Sequence, residues 1–365
     1  MKRPSPEPNP HVAAMSAYVP GEQPQGGGWV KLNTNENPYP PSPAAIEALR
    51  AAAGDAGSLL RLYPSPDASP LREAAAKAHD FQAGRVVAGN GSDDLLNLLI
   101  RAYAGPGRPV GMLDPSYSLY PVLAAAQGAA VIKVPISDDL DFDDARVADC
   151  GAAVFFLTNP NAPLGVSFTS ARIAALAGRF PGLLVVDEAY AAFSDDDCVS
   201  LARDLPNVVV TRTLSKGHAL AGLRAGYALC PEEVASVLHR VRDSYNLDRV
   251  AQAAAAAALL DDAWLRRTVA SVNGTRARMV AALTAIGWRC VPPHGNFILA
   301  EPASARRPAS SETSAHAFEF LKSRRILVRR FPGHRLTERC LRVSVGTDAE
   351  ADAFLAAARE WSAEG

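Results

Sequence analysis

TLSKGHALAGLRAGY, residues 213–227, begins three residues after the apolar run NVVV (207–210) and contains one lysine, Lys216. The chain contains only six lysines against 31 arginines, so a lysine that it keeps is a candidate for a role that needs an amine. An amine forms a Schiff base with an aldehyde, and a guanidinium does not. Ser215 and Gly217 flank this lysine, and Arg224 follows eight residues later. By itself, the pattern also fits a surface lysine in a polar loop.

The rest of the chain predicts an α/β fold with a mostly parallel central sheet. Short apolar runs such as 152–157 and 183–186 alternate with alanine-rich helical stretches. Unbroken apolar runs of this length are typical of strands covered on both faces, and the intervening helices favour parallel crossovers. Polar residues lie just past the C-terminal ends of three predicted strands: Asn159, Asn161, Asp187, Glu188, Ser215 and Lys216. Because ligands bind at the carboxyl edge of such sheets, these residues are expected to share one crevice.

The sequence pattern also divides the chain. Residues 1–30, rich in proline and glycine, predict a flexible N-terminal arm, and residues 31–255 predict a large ligand-binding domain. A long Arg/Ala helix and short strands then predict a smaller α+β domain over residues 256–365, packed with part of the N-terminal segment. Residues 30–50 carry Asn and Pro signals and are expected to lack a regular element.

Composition excludes several classes of function. The net charge of −1 gives no electrostatic reason to expect nucleic acid or an anionic membrane as a partner. No apolar stretch approaches the roughly 18–20 residues of a membrane span, and the start MKRPSPEPNP does not resemble a secretory signal. The five cysteines are far apart, predict no metal site, and are expected to be buried free thiols in a reducing cytoplasm.

The strand-end residues match the needs of pyridoxal 5'-phosphate. Its ring nitrogen requires a carboxylate, for which Asp187 is the candidate, and its phenolate oxygen requires donors, for which Tyr190 and Asn161 are candidates. Asp187 also fits a simple helix N-cap. Tyr117 is a candidate to stack on the ring, although a tyrosine near a strand end is commonly a packing residue.

The turn GNGSDD (89–94) is the candidate phosphate site, because a helix N-terminus offers free backbone N–H groups to an anion. Alone, such a turn is usually just a helix cap. Side-chain donors for the same phosphate come from elsewhere in the chain. The candidates for this site are Gly91, Ser92, Asp93, Ser215 and Arg224.

These features occur in an order that resembles the fold-type I PLP-dependent aminotransferases, and in particular their histidinol-phosphate branch. TLSK with LAGLR is specific for the wider group, whereas KLNTNENPY (31–39) and LYPSPDA (62–68) are similar to the narrower branch. The similarity covers residues 18–348. Further matching motifs are GNGSDDLL, PSYSLY, TNPNAPLG, VVDEAY, GNFIL and LRVSVGT.

The resemblance implies a role for each matching residue. Lys216 would be the Schiff-base lysine and proton shuttle, and Asp187 and Tyr190 would assist it as catalytic residues. Tyr63 would reach the phosphate in a neighbouring subunit, which implies a homodimer. Substrate would contact four residues: Tyr18, Asn35, Arg329 and Arg342.

Three stretches depart from the family pattern. Ala162 and Leu164 interrupt the usual TNPNNPTG, and SYNLDR (244–249) replaces a more typical Pro-Tyr-Asn segment. After the lysine, Gly217-His218-Ala219 replaces the usual Ala-Phe-Gly. None removes a catalytic group.

The resemblance implies transamination of L-histidinol phosphate with 2-oxoglutarate, a step of histidine biosynthesis, in the cytoplasm. An aromatic amino-acid aminotransferase is the main alternative, because a pocket for imidazole also suits phenyl or indole rings. A PLP-dependent threonine-phosphate decarboxylase and a non-catalytic regulator with an aminotransferase-like domain are further alternatives. The regulator would need a DNA-binding module, and only a short Pro-rich leader precedes the matching region.

Overall fold

A computed structural model describes residues 5–364 of the chain. Residues 1–4 of the predicted N-terminal arm and Gly365 of the predicted small domain lie outside the described part. The thirteen helices of the described chain are α1 (Pro10–Ala13), α2 (Pro43–Ala53), α3 (Ser69–Ala78), α4 (Ser92–Tyr103), α5 (Leu119–Ala126), α6 (Asp144–Ala148), α7 (Ser170–Ala177), α8 (Val199–Asp204), α9 (Glu232–Val241), α10 (Arg249–Leu260), α11 (Asp262–Ala285), α12 (Ser311–Ser323) and α13 (Asp348–Glu364). The strands are β1 (Val30–Lys31), β2 (Val86–Gly89), β3 (Val110–Asp114), β4 (Val131–Pro135), β5 (Val154–Thr158), β6 (Leu183–Asp187), β7 (Val208–Thr213), β8 (Gly226–Leu229), β9 (Arg289–Cys290), β10 (Phe297–Glu301), β11 (Ile326–Leu327), β12 (Arg329–Arg330) and β13 (Leu341–Ser344).

The central sheet has seven strands in the order β2-β8-β7-β6-β5-β3-β4. Strands β4, β3, β5, β6 and β7 are parallel to one another, and β8 is antiparallel to both β7 and β2. Every residue of β5 and β6 is buried, because helices cover both faces of the sheet. The predicted α/β fold with a mostly parallel sheet is therefore confirmed.

A smaller antiparallel sheet, in the order β12-β13-β10-β9, lies in the C-terminal part of the chain. The N-terminal segment joins this part, because β1 pairs in parallel with β11. Leu32, directly after β1, is buried in the same apolar cluster as Trp288, Phe354 and Trp361. The C-terminal core therefore includes residues from the start of the chain.

The expectation that residues 30–50 lack a regular element is wrong, since β1 and α2 begin there. Ser42 caps α2 by accepting a hydrogen bond from the backbone N–H of Ala45 at 3.1 Å, and Pro43 occupies the first turn, where no N–H is needed. The Ser-Pro pair was thus a helix-start signal inside a proline-rich stretch. The predicted border between residues 255 and 256 falls inside α10, and the domain limits stay a prediction.

Within residues 5–364, no helix is long and apolar enough to cross a membrane. All five cysteines are free, as expected. Cys198, Cys230 and Cys340 are buried, whereas Cys150 and Cys290 are only partly buried, so the expectation of burial was wrong for these two.

Candidate active site

A cavity of about 610 Å³ lies where β5, β6 and β7 end, as predicted for the carboxyl edge of the sheet. The N-terminal segment and the smaller sheet complete its wall. It brings together most of the predicted site residues, from seven separate parts of the chain. Those that line it are Tyr18, Ser92, Asp93, Tyr117, Asp187, Tyr190, Ser215, Lys216, Arg224, Arg329 and Arg342.

Lys216 projects into this cavity from the turn that follows β7. Its Nζ donates a hydrogen bond to the backbone oxygen of Thr34 at 3.0 Å. Burial lowers the pKa of Lys216 to about 8, and the positive charges of Arg342 and Arg224 act in the same direction. About a tenth of this amine is therefore uncharged at pH 7, far more than for an ordinary lysine, and the uncharged amine is the form that attacks an aldehyde.

Asp187, the last residue of β6, is a buried carboxylate without a cation beside it among the described residues. Its Oδ2 accepts a hydrogen bond from the Tyr120 hydroxyl at 2.7 Å, and its Oδ1 accepts one from Thr211 at 3.3 Å. Burial raises the pKa of Asp187 to about 6. An oriented carboxylate that lacks a positive partner is suited to bind a protonated ring nitrogen.

The N-terminus of α4 has the features of an anion site. No side chain caps this helix, and Gly91 before it has a φ of +85°. A Cβ at Gly91 would lie 2.7 Å from Nη2 of Arg224, so only glycine lets the guanidinium approach the helix end. Arg224 donates to the Ser215 hydroxyl at 3.2 Å, which places hydroxyl, guanidinium and backbone donors together.

The side chain of Asp93 orients two neighbouring side chains of the site. Its carboxylate accepts hydrogen bonds from Arg224 at 3.3 Å and from the Tyr117 hydroxyl at 3.2 Å. The side chain thus fixes two other site residues, and what it offers an anion is its backbone N–H in the first turn of α4.

Tyr190 lies beside Asn35 rather than Asn161. Nδ2 of Asn35 donates to the Tyr190 hydroxyl at 3.0 Å. Asn161 is fully buried, and its Nδ2 donates to the backbone oxygen of Pro115 at 3.2 Å. Neither asparagine lines the cavity, so Asn35 acts on it through Tyr190, and the assignment of Asn161 as a phenolate donor stays a prediction.

Two arginines face the cavity from neighbouring strands. Arg329 and Arg342 are directly opposite in the β12–β13 ladder, where like charges repel. Arg342 is buried; its Nη2 donates to the backbone oxygen of Asn33 at 3.0 Å, and its Nε has no partner among the described residues. Neither guanidinium pairs with a carboxylate of residues 5–364. The pair is therefore suited to bind an anion.

Phe331 packs against both guanidiniums. The Cζ atoms of Arg342 and Arg329 lie 5.0 Å and 5.3 Å from the centre of its ring. Such contacts to an aromatic face favour the charged form of arginine. Burial nevertheless lowers the pKa of Arg342 to about 10, and the neighbouring Arg329 contributes to this shift.

Tyr18 and Tyr63 occupy different surroundings. Tyr18 lines the cavity and packs edge-on against Tyr117, with ring centres 6.2 Å apart. Tyr63 is 78% exposed, does not line the cavity of its own chain, and stacks on Tyr245 with ring centres 4.7 Å apart. The predicted role of Tyr63 in a neighbouring subunit stays a prediction.

Sequence reasoning missed four residues of this site: Thr34, Asn37, Tyr120 and Phe331. Tyr120 lies in α5, where its spacing along the chain predicts only packing. Asn37 and Thr34 belong to the quoted run KLNTNENPY, but their contacts with Lys216 span about 180 residues and leave no local signal.

The residues fit pyridoxal 5'-phosphate, which carries an aldehyde, a ring nitrogen and a phosphate. An amine of lowered pKa, a buried carboxylate without a cation, and a donor-rich helix N-terminus meet in one cavity. Fold and site together define a fold-type I enzyme of the PLP-dependent class. Residues 27–357 match the family aminotransferase class I and II, and the chain belongs to that family.

Two relatives of the chain are histidinol-phosphate aminotransferases. The chain is 44% identical over 355 residues to a histidinol-phosphate aminotransferase of Geobacter sulfurreducens, an alignment that covers 96% of this chain and 98% of the relative. A second, from Burkholderia pseudomallei, is 42% identical over 354 residues, covering 96% and 97%. The crystal structure of histidinol-phosphate aminotransferase from Sinorhizobium meliloti in complex with pyridoxal 5'-phosphate superimposes with a TM-score of 0.86 at 28% identity, covering 97% of both chains.

Proposed function

We propose that the chain is a PLP-dependent aminotransferase of histidine biosynthesis that converts L-histidinol phosphate and 2-oxoglutarate to imidazole-acetol phosphate and L-glutamate. The observation that carries this proposal is the meeting of Lys216, Asp187 and the α4 anion site in one cavity, beside two arginines without carboxylate partners. Full-length similarity to histidinol-phosphate aminotransferases supports the choice of substrate.

The proposed cofactor contacts follow from the chemistry of each side chain. Bound pyridoxal 5'-phosphate supplies an electron-withdrawing ring that stabilises negative charge on the amino carbon of a substrate. Asp187 holds the proton of the ring nitrogen, and the hydroxyls of Tyr120 and Thr211 keep its carboxylate in place. Backbone N–H groups at Ser92 and Asp93 bind the phosphate together with Ser215 and Arg224.

Lys216 is proposed to attach the cofactor and to move protons. Because its pKa is near 8, the amine is able to take a proton from Cα of the substrate close to neutral pH. Thr34 orients this amine through its backbone oxygen, and Tyr190 lies on the same cavity wall with its hydroxyl fixed by Asn35. These contacts hold the base in a fixed position before substrate arrives.

Arg342 and Arg329 are proposed to bind the anionic end of each substrate. One substrate carries a phosphate and the other a carboxylate, and the planar donor pair of a guanidinium binds either group. Phe331 fixes both side chains, and Tyr18 closes the same wall. An anion between the arginines would also relieve the repulsion of their facing positions.

The enzyme is further proposed to be a cytoplasmic homodimer. Leu60, Leu62, Tyr63 and Tyr245 expose between 43% and 78% of their surface, and they come from two neighbouring loops, since Tyr63 stacks on Tyr245. Apolar side chains grouped in this way are suited to burial against a second copy of the chain. Tyr63 would then point toward the phosphate site of the partner.

The test is to mix purified protein with histidinol phosphate and 2-oxoglutarate and to follow glutamate formation, with phenylalanine as the competing amino donor. We expect turnover of histidinol phosphate to exceed that of phenylalanine. Turnover of phenylalanine alone would overturn the proposal in favour of an aromatic amino-acid aminotransferase. Release of CO₂ without 2-oxoglutarate would overturn it in favour of a decarboxylase.

A further inference from the structure

The turn that carries Lys216 is strained on one side and tightly packed on the other. Ala219 has a φ of +59°, in the left-handed region that disfavours residues with a Cβ. Gly217 has no room for a side chain, because a Cβ there would lie 2.8 Å from Cβ of Ala192. Two backbone hydrogen bonds close the turn from within, from Ala219 N to Lys216 O at 3.3 Å and from Leu220 N to Leu214 O at 3.0 Å.

Asn37 holds this turn from outside. Its Nδ2 donates to the backbone oxygens of Lys216 at 2.9 Å and Gly217 at 3.0 Å. Its Oδ1 accepts from the backbone N–H of Tyr39 at 3.0 Å, which orients the amide with its donor toward the turn. Thr34, three residues earlier, accepts from Nζ of Lys216 at 3.0 Å. One short segment thus contacts both the backbone and the amine of the same lysine.

We propose that Asn37 is a positioning residue for Lys216, which keeps the strained turn in the conformation that directs the amine into the cavity. This inference rests on the proposed function of Lys216. Asn37 itself does not line the cavity, so its effect passes through the lysine backbone. This chain has Gly217-His218-Ala219 where the family usually has Ala-Phe-Gly. The turn therefore gains a flexible glycine at its first position and loses the glycine suited to a positive φ at its third. Both changes make the hydrogen bonds from Asn37 more important for holding the turn.

Two substitutions at this position separate the lost hydrogen bonds from an added charge. Asn37→Asp keeps the acceptor for Tyr39 and replaces the donor with a carboxylate oxygen, and Asn37→Leu removes the donor without adding charge. We expect both holoenzymes to lose on the order of tenfold to a hundredfold in kcat with little change in KM, since a small displacement of a reacting group has effects of that size. The fraction of protein with cofactor fixed to Lys216 after borohydride reduction, read by peptide mass, should also fall.

Asn207 provides the matched control. Its Nδ2 likewise donates to backbone oxygens, those of Ala177 at 2.9 Å and Phe180 at 3.1 Å, but away from the cavity. Asn207→Asp and Asn207→Leu should lower thermal stability and leave kcat and the fixed fraction unchanged. Wild-type values in either Asn37 variant would overturn the inference, as would equal losses in the Asn207 variants. A wild-type protein with no fixed cofactor would overturn the proposed function and the inference with it.

Discussion

At the scale of single residues, burial shifts the two central ionisable groups of the cavity toward their neutral forms. Burial raises the pKa of Asp187 to about 6 and lowers that of Lys216 to about 8. In the cofactor-free protein, the charged form of each group is therefore destabilised by burial. A bound group with a ring N–H⁺ and an aldehyde would remove both penalties, so the same burial that destabilises the empty site favours the cofactor.

Replacing Lys216 by arginine tests the need for an amine. Lys216→Arg keeps a positive charge and most of the length, but a guanidinium neither attaches the aldehyde nor transfers a proton near neutral pH. We expect kcat to fall by about 10²- to 10⁴-fold in a coupled glutamate assay. Lys133→Arg is the control, because its side chain is 55% exposed on β4 and does not line the cavity. A Lys216→Arg enzyme with wild-type kcat would contradict the assignment.

Replacing Asp187 by asparagine should stabilise the cofactor-free protein and inactivate the enzyme. The folded pKa of Asp187 is raised, so ionisation costs stability above pH 6, and this cost disappears as the pH falls from 6 to 4. Asp187→Asn removes a charge that has no cation beside it. We expect a gain of about 1–3 kcal/mol in the free energy of unfolding at pH 7.5.

Urea unfolding of both cofactor-free proteins at pH 7.5 and pH 4.5 checks this sign. The difference between wild type and Asp187→Asn should shrink at the lower pH, where the wild-type carboxyl is largely protonated. A difference that is equal at both pH values would show that the carboxylate charge is not its source.

Individual site residues were predictable where they end an apolar run. Asp187 and Lys216 follow strands of the parallel sheet, so their meeting at one edge required only the fold class. Tyr120 and Thr211 support Asp187 from within a helix and a strand, where the pattern predicts only packing. Their role depends on hydroxyl direction, which neither composition nor period encodes.

At the scale of elements, the turn after β7 gives a stability prediction. Ala219→Gly should relieve the positive φ and raise the free energy of unfolding by roughly 1 kcal/mol. Ala281→Gly is the control, because Ala281 is exposed within α11 and glycine there should lower stability by roughly 0.5–1 kcal/mol. Thermal unfolding measures both, and a loss of stability in Ala219→Gly would contradict a strained turn.

Elements were predictable in proportion to their apolar patterning. Strands such as β5 and β6 are fully buried apolar runs that the sequence pattern reveals, whereas α2 is missed because only Ala45 among its eleven residues is fully buried. The pairing of β1 with β11 joins residues about 300 positions apart through two-residue strands. Such short, distant pairings have no period to detect, so only the folded chain reveals them.

At the scale of the whole molecule, residues 33–37 connect the two sheets across the cavity. Arg342 on β13 donates to the backbone oxygen of Asn33, and Asn35 binds both Ser344 and Tyr190. Asn37 reaches the turn after β7. Because Arg342 and Lys216 contact the same short segment, a movement of the smaller sheet would be transmitted to Lys216.

Mixed dimers test whether a complete site needs two chains. Tyr63 does not line the cavity of its own chain, and the proposed homodimer would place it at the phosphate site of the partner. Under that proposal, Tyr63→Ala should lower activity about tenfold or more, because a hydrogen bond to a charged phosphate is lost. Lys216→Ala should be inactive by itself. Unfolding and refolding the two variants together yields hybrids in which the Lys216→Ala chain supplies Tyr63 and the Tyr63→Ala chain supplies Lys216.

Random pairing makes about half of the dimers hybrids, each with one intact site, so the mixture should recover about a quarter of wild-type activity. Refolding each variant alone provides the baseline, and sedimentation should give the mass of two chains. Activity that merely equals the average of the separate variants would mean that each chain completes its own site. In that case the exposed Tyr63 and its apolar neighbours would need another explanation than a shared active site.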